Sequence, residues 1–96
     1  MQCETKKKIR QRLNRVAGQV AGLQKMVEED RYCVDILTQL AAVRSALDAI
    51  GVGLLTDHVE HCMLGHGTGL EHPQAKKMSK EDLLGEVRVA INRFLS

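Results

Sequence analysis

Aromatic side chains are almost missing from this sequence. Tyr32 and Phe94 are the only two among 96 residues, and there is no Trp. A core without large rings must be built from Leu, Val, Ile, Met and Ala, most of which favour helices. Proline occurs once, at Pro73, and strand-and-turn punctuation is too sparse for a sandwich or barrel. No uninterrupted apolar run approaches the ~20 residues of a bilayer-spanning helix, so no membrane partner is expected. The basic start is not followed by an apolar signal core. Cysteine is scarce and odd in number, at three. That argues against a disulfide framework and fits reduced thiols in a cytoplasmic protein. The glycine patterns of dinucleotide and phosphate loops are absent, as is a serine nucleophile elbow, so no enzyme is expected. The length suits one domain, residues 1–96.

What is present is helical rhythm. Ile9, Leu13, Val16, Val20, Leu23 and Val27 recur at spacings of three and four, predicting a helix over about 5–28 with Thr5 as N-cap. Gly18 and Gly22 lie inside it, at a cost of about 1 kcal/mol each relative to Ala, which suggests close approach of another helix. A second helix is predicted over about 31–64, with Asp30 as N-cap. Its apolar positions run from Val34 through Leu37, Leu40, Val43, Leu47, Ile50 and Leu54. The stretch Gly65-His66-Gly67-Thr68-Gly69, followed by Pro73, reads as a linker whose His66 and His72 face solvent. Ser79-Lys80-Glu81-Asp82 resembles a capping box that opens a last helix with Leu83, Val87, Ile91 and Phe94 on its apolar face.

The expected architecture is all-α: a three-helix protomer with one long central helix. About 32 helical residues span ~48 Å, whereas a compact chain of this length has a radius of gyration of only ~12 Å. The central helix outruns its own protomer. A dimer that completes an antiparallel four-helix bundle resolves the mismatch. A helix broken near Gly51 is the alternative.

Cys33, His58 and Cys62 form the informative constellation. His58 and Cys62 are spaced i, i+4 and reach one point from one helix face. Cys33 precedes His58 by 25 residues, a net rotation of about 20° but a rise of ~37 Å. All three share a face, yet Cys33 cannot meet His58 along one helix. Antiparallel copies bring the Cys33 end of one protomer to the His58 end of another, giving two symmetric intersubunit sites. Two thiolates and an imidazole are a soft, three-ligand set that suits Cu(I). Cys3 is a candidate extra ligand, which would shift preference towards Zn, Ni or Co. His61, three residues after His58, sits about 60° away from it around the helix.

Charge is unevenly spread. Lys6, Lys7, Lys8, Arg10, Arg12 and Arg15 against Glu4 leave the first fifteen residues at +5 and the remainder at −3. Lys8, Arg12 and Arg15 form a stripe suited to a polyanion. No helix-turn-helix pattern accompanies it, and scarce aromatics disfavour single-strand stacking.

Four segments resemble the copper-sensing operon repressors grouped with nickel/cobalt and formaldehyde sensors, the CsoR/RcnR family. They are Arg12-Leu13-Asn14-Arg15-Val16-Ala17-Gly18-Gln19-Val20, Tyr32-Cys33-Val34-Asp35, Gln39-Leu40-Ala41-Ala42-Val43-Arg44 and Asp57-His58-Val59-Glu60-His61-Cys62. The Cys…His-x-x-x-Cys pattern is similar to the copper branch. The resemblance implies dimers that pair into tetramers and bind double-stranded operator DNA when metal-free. Cu(I) would release the DNA and derepress copper-resistance genes. It implies Cys33, His58 and Cys62 as ligands. Tyr32, Glu81 and Asp82 would be hydrogen-bonding groups behind them, and Arg44 would join Lys8, Arg12 and Arg15 at DNA. The family carries Glu where Asp82 aligns, so Glu81 and Asp82 both stay open for that role. Two alternatives remain: a repressor of this fold answering persulfide, electrophiles or Ni, Co or Zn, and a helical copper-buffering protein without DNA binding.

Overall fold

The computed structural model describes residues 3–96 and is helical throughout its regular structure. Helix α1 spans Cys3–Glu28 and α2 spans Cys33–His58. A π-helix, Val59–Leu64, continues α2 directly. A one-turn α3, Pro73–Lys76, and a final α4, Lys80–Leu95, follow the glycine linker. The all-α expectation holds, with three long helices and one short turn of helix. The chain divides into two compact units, one covering Cys3–Val52 and the other Gly53–Ser96.

In the first unit, Ile9 and Val16 of α1 form a core with Val43 and Ile50 of α2, flanked by Leu23 and Ala46. Helix α1 begins at Cys3, so Thr5 lies inside it and is not its N-cap. Its end is a Schellman motif. The Arg31 N–H donates to the Met26 carbonyl and the Asp30 N–H to the Val27 carbonyl. Asp30 takes the left-handed conformation this motif needs, at φ 54°. Asp30 therefore ends α1 and does not cap α2. The carbonyl of Tyr32 performs the latter role, accepting from the Asp35 and Ile36 N–H groups.

Gly18 and Gly22 have nothing within 4 Å of where a Cβ would stand. Within the chain, close helix approach does not explain them. Much apolar surface in this unit is uncovered: Leu13, Val20, Val34, Leu37, Leu40 and Leu47 are all at least 43% exposed. The helical stretch Cys33–Leu64 is also long and apolar enough, by length and composition, to cross a bilayer. Arg44, Asp48 and Asp57 interrupt it, and charged residues are costly at membrane depth.

In the second unit, Cys62, Ala75 and Leu83 form a core with Met63 and Met78 packed against it. This cluster draws the π-helix, α3 and α4 together. Ser79 caps α4 as its sequence predicts, its Oγ accepting from the Asp82 N–H at 3.1 Å.

Candidate metal centre

The π-helix is the local feature that shapes this region. Such wide turns are rare and recur at functional sites. Its end is fixed by Gly65, where a Cβ would come within 3.0 Å of the backbone carbonyl oxygens of Glu60 and His61. No side chain fits there without moving backbone.

Cys62 lies in this π-helix, buried at 6% exposure against Leu83 and Ala75. Its Sγ accepts a hydrogen bond from the His72 backbone N–H at 3.4 Å. His58, the last residue of α2, is half-buried, and its Nε2 is enclosed without a hydrogen-bond partner. In the tautomer that carries its proton on Nδ1, this nitrogen presents a lone pair. His61 turns back along the helix. Its Nδ1–H donates to the Asp57 carbonyl at 3.1 Å and lies 3.2 Å from Asp57 Oδ1. This matches its expected displacement from the shared face.

Cys33 is the exposed first residue of α2, and Tyr32 beside it is 70% exposed. Cys33 and His58 stand at opposite ends of one helix. Among the described residues, no three His, Cys, Asp or Glu side chains gather where they could hold a metal. His58 and Cys62 stand four residues apart across the junction of α2 and the π-helix, and Cys33 lies at the other end of α2. The donors present nevertheless fit a soft ion: a buried thiol and an enclosed, unpartnered imidazole nitrogen one helical turn apart.

Glu81 and Asp82 occupy the exposed first turn of α4. Buried Leu83, the next residue, anchors that turn against the Cys62 cluster. Cys3 is exposed at the start of α1. Lys8, Arg12 and Arg15 lie exposed along α1, and Arg44 is exposed on α2.

The linker departs from expectation. His72 is exposed as predicted, and its Nδ1 accepts from the Gln74 N–H to cap α3. His66 is half-buried with Nε2 enclosed and unpartnered, not solvent-facing. Glu71, which the sequence does not single out, is the one buried charged side chain among the described residues, at 7% exposure. Its Oε2 accepts from the Gly69 N–H at 3.1 Å. Its own backbone N–H, foremost, holds the carboxyl below its ordinary range, and desolvation opposes this. The N–H groups of Gly69 and Gly67 and the charge of His66 add to the lowering. Gly67 and Gly69 reach these positions with φ of 87° and 89°. Alternate glycines before an acidic residue are the signal that could have revealed this nest of N–H groups.

The metal-sensitive transcriptional repressor family model matches residues 5–93. The copper-sensing transcriptional repressor RicR of Mycobacterium tuberculosis is 54% identical over 52 residues, 54% of this chain and 54% of that one. The copper-sensing repressor CsoR of Bacillus subtilis is 53% identical over 58 residues, 60% of this chain and 57% of that one. The chain thus spans little more than half the length of the curated relatives it matches. Among solved structures, the copper-sensing repressor CsoR with Cu(I) from Geobacillus thermodenitrificans NG80-2 superposes with a TM-score of 0.82 at 38% identity, covering 100% of this chain and 92% of that one. The nickel-responsive regulator InrS gives 0.69 at 35% identity, covering 92% and 90%. With the family match running almost from end to end, the chain belongs to the metal-sensitive transcriptional repressor family.

Proposed function

We propose that this chain is a Cu(I)-responsive transcriptional repressor, acting as a single metal-sensing, DNA-binding domain in the cytoplasm. The observation that carries the reading is the enclosed, unpartnered Nε2 of His58 one helical turn before the buried Cys62 thiol. Two relatives named as copper sensors at 53% and 54% identity support the metal.

Cys33 of one protomer, with the partner's His58 and the partner's Cys62, would hold Cu(I) between subunits. The exposed apolar residues of α1 and α2 support an antiparallel dimer, and pairing of dimers into a tetramer extends the same reading. Bound Cu(I) would supply a soft cross-link between the two chains. Glu81 and Asp82, at the anchored start of α4, and Tyr32, at the start of α2, would hydrogen-bond around that site. Lys8, Arg12, Arg15 and Arg44 would contact phosphates of double-stranded operator DNA. Such contacts supply affinity and a steep salt dependence. Drawing Cys33 to the opposing ligands would tilt these basic surfaces and weaken their fit to DNA. Coupling of this kind is typically worth about 1–3 kcal/mol.

The test uses duplex DNA selected from a random library by the reduced, metal-free protein. Cu(I), Ni(II), Zn(II) and a persulfide donor are each titrated into that complex. Release by Cu(I) alone is expected, and Cys33→Ala should keep DNA binding while losing the release. Undiminished release from Cys33→Ala would refute the ligand set. Release by persulfide without Cu(I) would turn the reading to a thiol sensor. Absence of any selected DNA would favour a copper buffer.

A further inference from the structure

Several of the linker's polar groups find partners within the chain. Glu71 folds the glycines around its carboxylate, with Gly69 donating at 3.1 Å. One residue further on, the His72 N–H points at Cys62 Sγ at 3.4 Å. His72 then caps α3 through Nδ1, and Ala75 of α3 packs on Cys62. The loop thus closes over the sulfur from two directions, by a donor and by a methyl group. Burial of a carboxylate is unfavourable unless its oxygens are hydrogen-bonded. Its presence at 7% exposure in a short glycine loop needs a reason beyond solubility.

We propose that Glu71 is a positioning residue for Cys62: by ordering the Gly65–His72 loop it aims the His72 N–H at the sulfur and keeps the thiol covered. This deepens the metal-site reading and rests on it only for the copper arm of the test. With the loop ordered, Cys62 is shielded from electrophiles and its sulfur carries a fixed hydrogen bond. With the loop released, the donor and the Ala75 cover leave together, and the thiol is open to solvent.

The test uses the full chain, reduced and metal-free, with iodoacetamide as probe and peptide mass spectrometry as readout. The exposed thiols Cys3 and Cys33 serve as references in the same molecule. Glu71→Ala should raise Cys62 alkylation relative to Cys33 by about tenfold, as expected from loss of a local ordering interaction. Glu71→Gln keeps an oxygen acceptor at the same reach and should restore most of the protection. Cys62 no more reactive in Glu71→Ala than in the parent overturns the proposal.

A second pair isolates the N–H. His72 has φ −60°, already the value proline imposes. His72→Pro therefore deletes the donor without changing φ at that residue, whereas His72→Ala removes the cap and keeps the donor. In competition against a Cu(I) chelator, His72→Pro should hold copper about tenfold more weakly than His72→Ala. Equal retention by the two variants overturns the role of the N–H. A parent chain that takes up no Cu(I) defeats the copper reading alone, and the alkylation comparison still decides the role of Glu71.

Discussion

Replacing Leu83 by Ala tests the packing that joins α4 to the Cys62 region. Leu83 is the most deeply buried large side chain among the described residues, at 1% exposure. Its neighbours are the small Cys62 and Ala75 and the flexible Met63 and Met78. Buried Leu→Ala changes cost about 2–5 kcal/mol, the spread reflecting how far the site collapses. Cysteine and alanine cannot fill the void, but two methionines at its edge can lean in. A loss of about 3 kcal/mol is therefore expected. A chain of this size is stable by only about 5–14 kcal/mol. At about 4–8 °C per kcal/mol, Tm should fall by roughly 12–24 °C. Circular dichroism melts at fixed protein concentration supply Tm, and urea titration supplies the free energy. Cys62 alkylation should rise in parallel, because the same void opens the thiol. A loss below about 1 kcal/mol, the range of an exposed site, would refute the claim that Leu83 fastens α4 to the π-helix.

Other outcomes follow from the backbone. Gly65→Ala should cost about 1–3 kcal/mol, because its methyl meets two carbonyl oxygens that cannot move freely; an unchanged urea midpoint would contradict the close approach. Gly18→Ala and Gly22→Ala face open space in the protomer and should each stabilise α1 by about 1 kcal/mol at high dilution. A drop in Tm would instead reveal a neighbour from outside the chain. Glu71 is held below the ordinary carboxylate value of about 4.3, chiefly by its own backbone N–H. Its contribution to loop order is thus fully present above that value and lost as pH falls through the lower folded value. The Gly69 amide resonance should titrate with a midpoint below about 4.3, and a midpoint at or above it would refute the nest.

The long helices were legible because three- and four-residue spacing persists over many turns, and Ser79 announced α4 by its own chemistry. Asp30 misled because Asp suits both an N-cap and the left-handed end of a helix; which one forms depends on whether the preceding carbonyls find donors. The π-helix left no mark, since six residues are too few to reveal a changed period. Cys33, His58 and Cys62 were readable as donors from their angular positions. The enclosure of the His58 nitrogen was not, because it depends on side-chain packing that spacing does not describe. Glu71 escaped notice for a related reason, as its partners are backbone N–H groups that carry no residue identity beyond the glycines that expose them.

The uncovered leucines and valines of α1 and α2 carry a calorimetric consequence. Eight apolar side chains are buried among the described residues. A fully packed chain of this length would unfold with a heat-capacity increment of about 1.2–1.4 kcal/mol/K. The described residues of one chain bury few apolar side chains, so one chain alone should fall short of that figure. A measured increment near it would have to include surface exposed when chains part as well as when they unfold. Calorimetry over a dilution series would therefore separate the hydration change belonging to one chain from any that belongs to association between chains.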